Sequence, residues 1–129
     1  MRTISRLALG AFAAALLFAA GAAEAACSRT GYRFGPGVAT ASAVWRVLQD
    51  EPCTATLNPG RMYLQGVAIT RQANNGVAGV GSRYQFAYNP KPGFVGRDSF
   101  EMRIDFENNG LRDATRVRVN VVVTPARRR

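Results

Sequence analysis

The chemistry open to this chain rests on carboxylates, two cysteines and many arginines, because histidine is absent. Without imidazole there is no serine–histidine or cysteine–histidine nucleophile system, and the commonest zinc and copper ligand is missing. A carboxylate pair for glycoside hydrolysis would have to come from Asp50, Glu51, Asp98, Glu101, Asp105, Glu107 and Asp113. Most of these fall in turns or on the polar side of alternating segments, where a solvated surface accounts for them. No catalytic constellation emerges. The expectation is therefore a non-enzymatic protein with no cofactor and no metal site. Residues 105–113 do gather several oxygens of the kind calcium favours. They lack the alternating Asp/Asn-then-Gly pattern of a dedicated calcium loop, contain Arg112, and read as a hairpin turn at Asn109-Gly110.

The cations carry the other chemistry. Lys and Arg number 17 against 8 Asp and Glu, a formal charge of +9, and Lys91 is the one lysine. Arginine's planar fork suits phosphate and carboxylate groups. Arg103, Arg116 and Arg118 fall on the polar side of alternating segments, and Arg127, Arg128 and Arg129 form a basic tail, so these six are the candidate anion-binding residues. Solubility together with an arginine-biased coding sequence explains the same excess without any ligand. No element suited to reading bases is present, so sequence-specific nucleic-acid binding is not expected.

Residues 1–25 read as a secretory signal peptide. Arg2 and Arg6 precede an uncharged run over 7–23, which closes in Ala23-Glu24-Ala25. The run falls short of the roughly 20 apolar residues that span a bilayer. Glu24 stands where a lipidation site would want an apolar residue. The mature protein is therefore expected in the periplasm or outside the cell, with no membrane span. In that compartment an even pair of cysteines, Cys27 and Cys53, reads as a structural disulfide.

The elements that must hold these groups are strands. Residues 84–106 show period-two alternation twice: Tyr84, Phe86 and Tyr88, then Phe100, Met102, Ile104 and Phe106. Asn89-Pro-Lys-Pro-Gly93 lies between them, where two prolines remove ladder donors and force a corner between sheets. Val117, Val119, Val121 and Val123 alternate with Arg116, Arg118 and Asn120 in a closing strand. Residues 43–48 read as a strand with Trp45 and Val47 inward, although a helix over 39–49 competes. Trp45 is read as core rather than as a stacking platform. Further strands are expected at 54–57, at 62–70 with Val67 and Ile69 inward, and at 77–80, the last folding back as a hairpin through Asn74-Asn75-Gly76. Residues 30–37 are rich in turn formers and are expected to lie across the surface. The fold class is thus all-β, a two-sheet antiparallel sandwich of about seven or eight strands over residues 26–124. The predicted core comprises Trp45, Val47, Val67, Ile69, Tyr84, Phe86, Tyr88, Phe94, Phe100, Met102, Ile104, Val117, Val119 and Val121.

A family resemblance sits on the same corner. Tyr88, Pro90, Gly93, Phe94, Gly96, Asp98 and Phe100 resemble the Tyr-x-Pro-x-x-Gly-Phe-x-Gly-x-Asp-x-Phe signature of bacterial immunoglobulin-like (cadherin-like) repeats of secreted and surface proteins. The likeness extends over residues 64–124, and Val47-Leu48-Gln49-Asp50 is a fainter echo upstream. It implies an immunoglobulin-like sandwich and a fixed, structural Asp98. Asp98 is also expected, from its place after a Pro/Gly corner, to accept free backbone N–H groups where its strand begins. Fold alone does not set function. The functional expectation is an exported module that binds or scaffolds at the bacterial envelope, its partner an anionic envelope polymer or another envelope protein. The alternative is a small periplasmic binder or inhibitor that meets an anionic ligand or acidic protein through its arginines.

Overall fold

The alternating segments form strands because each has one apolar side to bury and one polar side to hydrate. The computed structural model describes residues 27–126. The segment 1–25 expected to be a signal peptide, and Arg127, Arg128 and Arg129, lie outside the described residues. Eight strands follow in chain order: β1 (Cys27–Arg29), β2 (Thr40–Leu48), β3 (Cys53–Thr56), β4 (Tyr63–Arg71), β5 (Gly76–Val80), β6 (Gln85–Pro90), β7 (Gly96–Asn108) and β8 (Leu111–Thr124). They build two sheets, β1-β2-β8-β7-β4 and β3-β6-β5, packed as a sandwich. With β3, β6 and β5 facing β8, β7 and β4, the strand order is that of an immunoglobulin-type sandwich. Among the described residues no helix is long and apolar enough to cross a membrane. The 39–49 ambiguity resolves as strand.

One pairing departs from the all-antiparallel expectation. β2 runs parallel to β8, from Thr40 opposite Arg116 to Leu48 opposite Thr124. Parallel neighbours need a long connection, and here strands β3 to β7 supply it. The closing strand is thereby held on both sides.

The core fills with the aromatics of the alternating strands. Trp45 stacks on Phe86 across the sheets at 5.4 Å between ring centres and meets Phe100 edge-on at 5.8 Å. Val47, Met102, Ile104, Phe106 and the four odd-numbered valines of β8 are buried around them. Leu57, Leu64, Ala43 and Ala78 add to the core, while the expected Val67, Ile69, Tyr84 and Phe94 pack against it half-buried. The Cys27–Cys53 disulfide joins β1, at the edge of one sheet, to β3, at the edge of the other, with Cα atoms 5.6 Å apart. That separation is within the range a disulfide requires.

One local reading is corrected. Residues 77–80 do not fold back onto β4. β5 pairs with β6 in the opposite sheet, so residues 72–75 form a crossing between sheets. Neither Asn74 nor Asn75 has the positive φ that a two-residue hairpin turn needs; among the described non-glycine residues, Asp50, Tyr84 and Asn109 do. Instead Gln72 holds the crossing by mimicking a strand: its amide oxygen accepts the Ala78 N–H at 2.6 Å and its Nε2 donates to the Ala78 carbonyl at 2.9 Å. Asn109 (φ 53°) and Gly110 (φ 80°) do make the tight turn between β7 and β8. Residues 30–37 run across the surface as expected and are tied down to the sandwich. Tyr32 and Phe34 pack against the core, the Gly35 N–H donates to Thr115 Oγ1 at 3.2 Å, and that hydroxyl donates to the Val38 carbonyl at 2.6 Å. Burial pushes the Tyr32 phenol up to about 12.

Candidate functional site

Two sets of residues were marked in the sequence, the corner motif and the arginines, and the fold sends them to different places. The corner motif builds a half-buried polar hub. β6 ends at Pro90, and a turn closes with the Phe94 N–H on the Lys91 carbonyl at 3.0 Å, with Pro92 leading and Gly93 at φ 80°. This is the type II geometry in which glycine is needed at the third position. Gly96 opens β7 at φ 140° beside the Phe94 ring. β7 then turns Asp98 inward. Its Oδ1 accepts the N–H groups of Asn74 (3.0 Å) and Ser99 (2.9 Å). Its Oδ2 accepts the N–H of Asn75 (2.9 Å) and the hydroxyl of Tyr88 (2.7 Å). Phe100 lies two residues on, its ring parallel to that of Tyr88 at 6.0 Å. Burial, followed by the hydrogen bond to Asp98 and the charge of that carboxylate, raises the Tyr88 phenol far above its usual range.

The faint upstream echo meets the corner directly. Asp50 Oδ1 accepts the Gly93 N–H at 2.9 Å, and Gln49 Nε2 donates to the Gly93 carbonyl at 2.9 Å. The β2–β3 loop thus clamps the proline turn. Every marked residue of the corner serves the architecture, and its polar atoms are taken up within it.

The arginines gather on the outer face of the five-stranded sheet. Cross-strand rows read Arg46–Val122–Arg97, then Ser42–Arg118–Glu101–Arg71, then Thr40–Arg116–Arg103–Ala68, and last Arg112–Glu107–Tyr63. Side chains directly opposite one another share a face, so Arg103 and Arg116 stand side by side, both exposed. Two ion pairs form there among the described residues: Arg103 to Asp105 at 2.8 Å and Arg71 to Glu101 at 3.4 Å. Arg71 also donates to Ser99 Oγ at 2.8 Å. Arg46, Arg97, Arg112, Arg116 and Arg118 have no ion pair among the described residues. Of the expected anion-binding set, the fold therefore brings Arg103, Arg116 and Arg118 together and adds Arg46, Arg71, Arg97 and Arg112. The signal for these was strand parity, since Arg97 shares parity with Arg103, and Arg112 with Arg116.

At the β7–β8 hairpin end of this face lies an open depression lined by Gln65, Arg103, Asp105, Arg112, Asp113 and Ala114. Gln65 Nε2 donates to Glu107 Oε1 at 3.0 Å, and Asp113 Oδ1 caps the Ala114 N–H at 2.8 Å. Tyr63 stands beside it and is 78% exposed. Parity from Val67 and Ile69 would bury Tyr63. A β-bulge between Leu64 and Gly66 shifts the register, buries Leu64 and turns Tyr63 out. Among the described residues no group of three or more His, Cys, Asp or Glu side chains gathers as a metal site would require. Residues 105–113 are the arms and tip of the hairpin.

No protein-family model matches this chain, and no curated protein matches it in sequence. Among solved structures, it is similar to a variant of an endo-fucoidan hydrolase from glycoside hydrolase family 107, at TM-score 0.39 and 13% identity. The match covers 74% of this chain and 15% of that one, so the chain spans a small fraction of that protein's length. That neighbour is an enzyme, and on that finding the expectation of a non-enzymatic chain is corrected and withdrawn. At this level of likeness neither its activity nor its substrate transfers to this chain.

Proposed function

We propose that this protein is an exported immunoglobulin-like module that binds an anionic polymer of the bacterial envelope through the outer face of its five-stranded sheet. One observation carries the reading: Arg103 and Arg116 are direct cross-strand neighbours on an exposed face where arginines outnumber carboxylates. Like charges placed directly opposite destabilise a sheet. An arrangement that costs stability and concentrates planar cationic forks on one open surface suits repeated phosphate or carboxylate groups. Export is supported by the basic-then-apolar start of the chain and by the disulfide between Cys27 and Cys53, a bond that persists in oxidising compartments.

The test is retention on an anionic resin across a salt gradient. Electrostatic binding weakens steeply with ionic strength. The intact protein is expected to elute late, the Arg116→Ser, Arg118→Ser double variant earlier, and a form lacking residues 127–129 earlier as well. Elution of the double variant with the intact protein would leave the arginine excess to solubility and coding bias.

A further inference from the structure

We infer that the depression at the hairpin end of the arginine face is a saccharide subsite, and that the polymer it takes is an acidic polysaccharide. The inference rests on the polyanion reading above and goes further by naming the ligand chemistry. Binding a bare polyphosphate calls for cations alone, and carboxylates within the site repel it. Here Arg103 and Arg112 share the depression with Asp105 and Asp113, and Gln65 completes its lining. That mixture matches a sugar ring bearing both an anionic group and hydroxyls. An arginine fork takes the carboxylate or sulfate, while aspartate oxygens accept from hydroxyl groups.

The side chains divide along those lines. Asp105 is engaged by Arg103, which orients that guanidinium. Asp113 uses Oδ1 on the Ala114 N–H, and its Oδ2 makes no protein hydrogen bond among the described residues. Arg112 has no carboxylate partner among the described residues. Tyr63 supplies the remaining need of a sugar site, a flat apolar surface. Tyrosine offers a flat apolar ring with a polar tip, and a specific backbone irregularity turns this one outward beside the polar cluster. Beyond the depression, Arg116 and Arg118 continue the face in the direction a polymer chain would follow.

The experiment compares alginate (a uronate polymer), inorganic polyphosphate and neutral dextran, each titrated against the protein purified after export and against Tyr63→Ala, Asp113→Asn and Arg97→Gln variants. Tyr63 and Asp113 are exposed, so unchanged thermal melts are expected to confirm folding. Alginate affinity should fall about fivefold or more with Tyr63→Ala and with Asp113→Asn. Polyphosphate affinity should stay unchanged with Tyr63→Ala and rise with Asp113→Asn, since a repelling charge is gone. Arg97→Gln, at the far end of the face, should weaken both polyanions modestly and alike. Alginate binding that ignores Tyr63 and Asp113 but follows the arginines would overturn the saccharide subsite and leave the polyanion reading intact. Retention of none of the polymers would overturn both, and dextran bound as well as alginate would overturn the requirement for an acidic sugar.

Discussion

The Tyr88 hydroxyl donates to Asp98 Oδ2 at 2.7 Å and joins the two sheets of the sandwich through a half-buried polar contact. Tyr88 belongs to β6 of the three-stranded sheet and Asp98 to β7 of the five-stranded one. The same carboxylate takes up the backbone donors of Asn74 and Asn75, where the chain crosses from β4 to β5. Asp98 is therefore an acceptor shared by the proline corner and the crossing, beside the Asn75 carbonyl, which takes the Lys91 N–H at 2.8 Å. Asp98→Ala strands several donors and is expected to destabilise by about 1–3 kcal/mol. Phe100→Ala removes the ring stacked on Tyr88 and opens a core cavity, at about 3–5 kcal/mol. Chemical denaturation of both variants checks this; midpoints equal to the parent's would sink the hub.

Alkali acts on the same contact from the other side. The folded protein holds the Tyr88 proton more tightly than the unfolded chain, whose phenol titrates near its ordinary 10.0. Above that pH the unfolded state binds fewer protons than the native state, so stability falls as pH rises. Below it the contribution is fully present. Tyr32, pushed up to about 12 by burial, loses its share over the same window. Melting temperature followed from pH 9 upward should drop from about pH 10, and less steeply in Tyr88→Phe. Parallel slopes for parent and variant would contradict it.

Gly76 is required by close approach. A Cβ there would lie 2.5 Å from the Asn89 carbonyl oxygen and 2.7 Å from the Tyr88 ring. Backbone on one side and a buried, hydrogen-bonded ring on the other leave little room to yield. Gly76→Ala is expected to cost about 1–3 kcal/mol by overpacking. Gly79→Ala, in the same strand with nothing near its Cβ position, is the control and should leave the melting temperature close to that of the parent.

The bond between Cys27 and Cys53 closes a separation of 26 residues and ties the sheets at their β1 and β3 edges. In the chain-entropy picture it contributes about 3 kcal/mol. The Cys27→Ala, Cys53→Ala double variant should be less stable by that amount in chemical denaturation. A double variant as stable as the parent would mean that the core alone sets the stability.

Much of this architecture was legible because period two is a short-range signal. Phe100, Met102, Ile104 and Phe106 face inward as their alternation requires, and Asn109-Gly110 turns where its φ preferences require. What stayed hidden depends on distant partners. Asn74-Asn75-Gly76 has turn chemistry whether the chain reverses or crosses, and only Gln72 and Asp98, reaching in from either side, decide between them. The parallel pairing of β2 with β8 has no local signature. Tyr63 was lost to the bulge, since one extra residue inverts every side chain beyond it. The corner motif was visible as a motif. That its aspartate would be wholly occupied by internal donors follows only from where the strands lie.

Arg116 gives the last expectation, in which stability and binding are set against each other. Its Cα partner is Arg103 on one side and Thr40 on the other, and Asp105 neutralises only part of the charge it faces. Threonine suits an exposed strand position and removes the repulsion. Arg116→Thr is expected to stabilise by about 0.2–1 kcal/mol at low salt. The gain should shrink as salt screens the arginine pair, while retention on an anionic resin falls. Thermal melts at two ionic strengths, run beside the resin assay, read both effects on one sample. A variant that melts lower at both salts would show that the aliphatic stem of Arg116 packs on the sheet. The residue would then be kept for that packing, and the charge argument for this face would lose its best-placed pair.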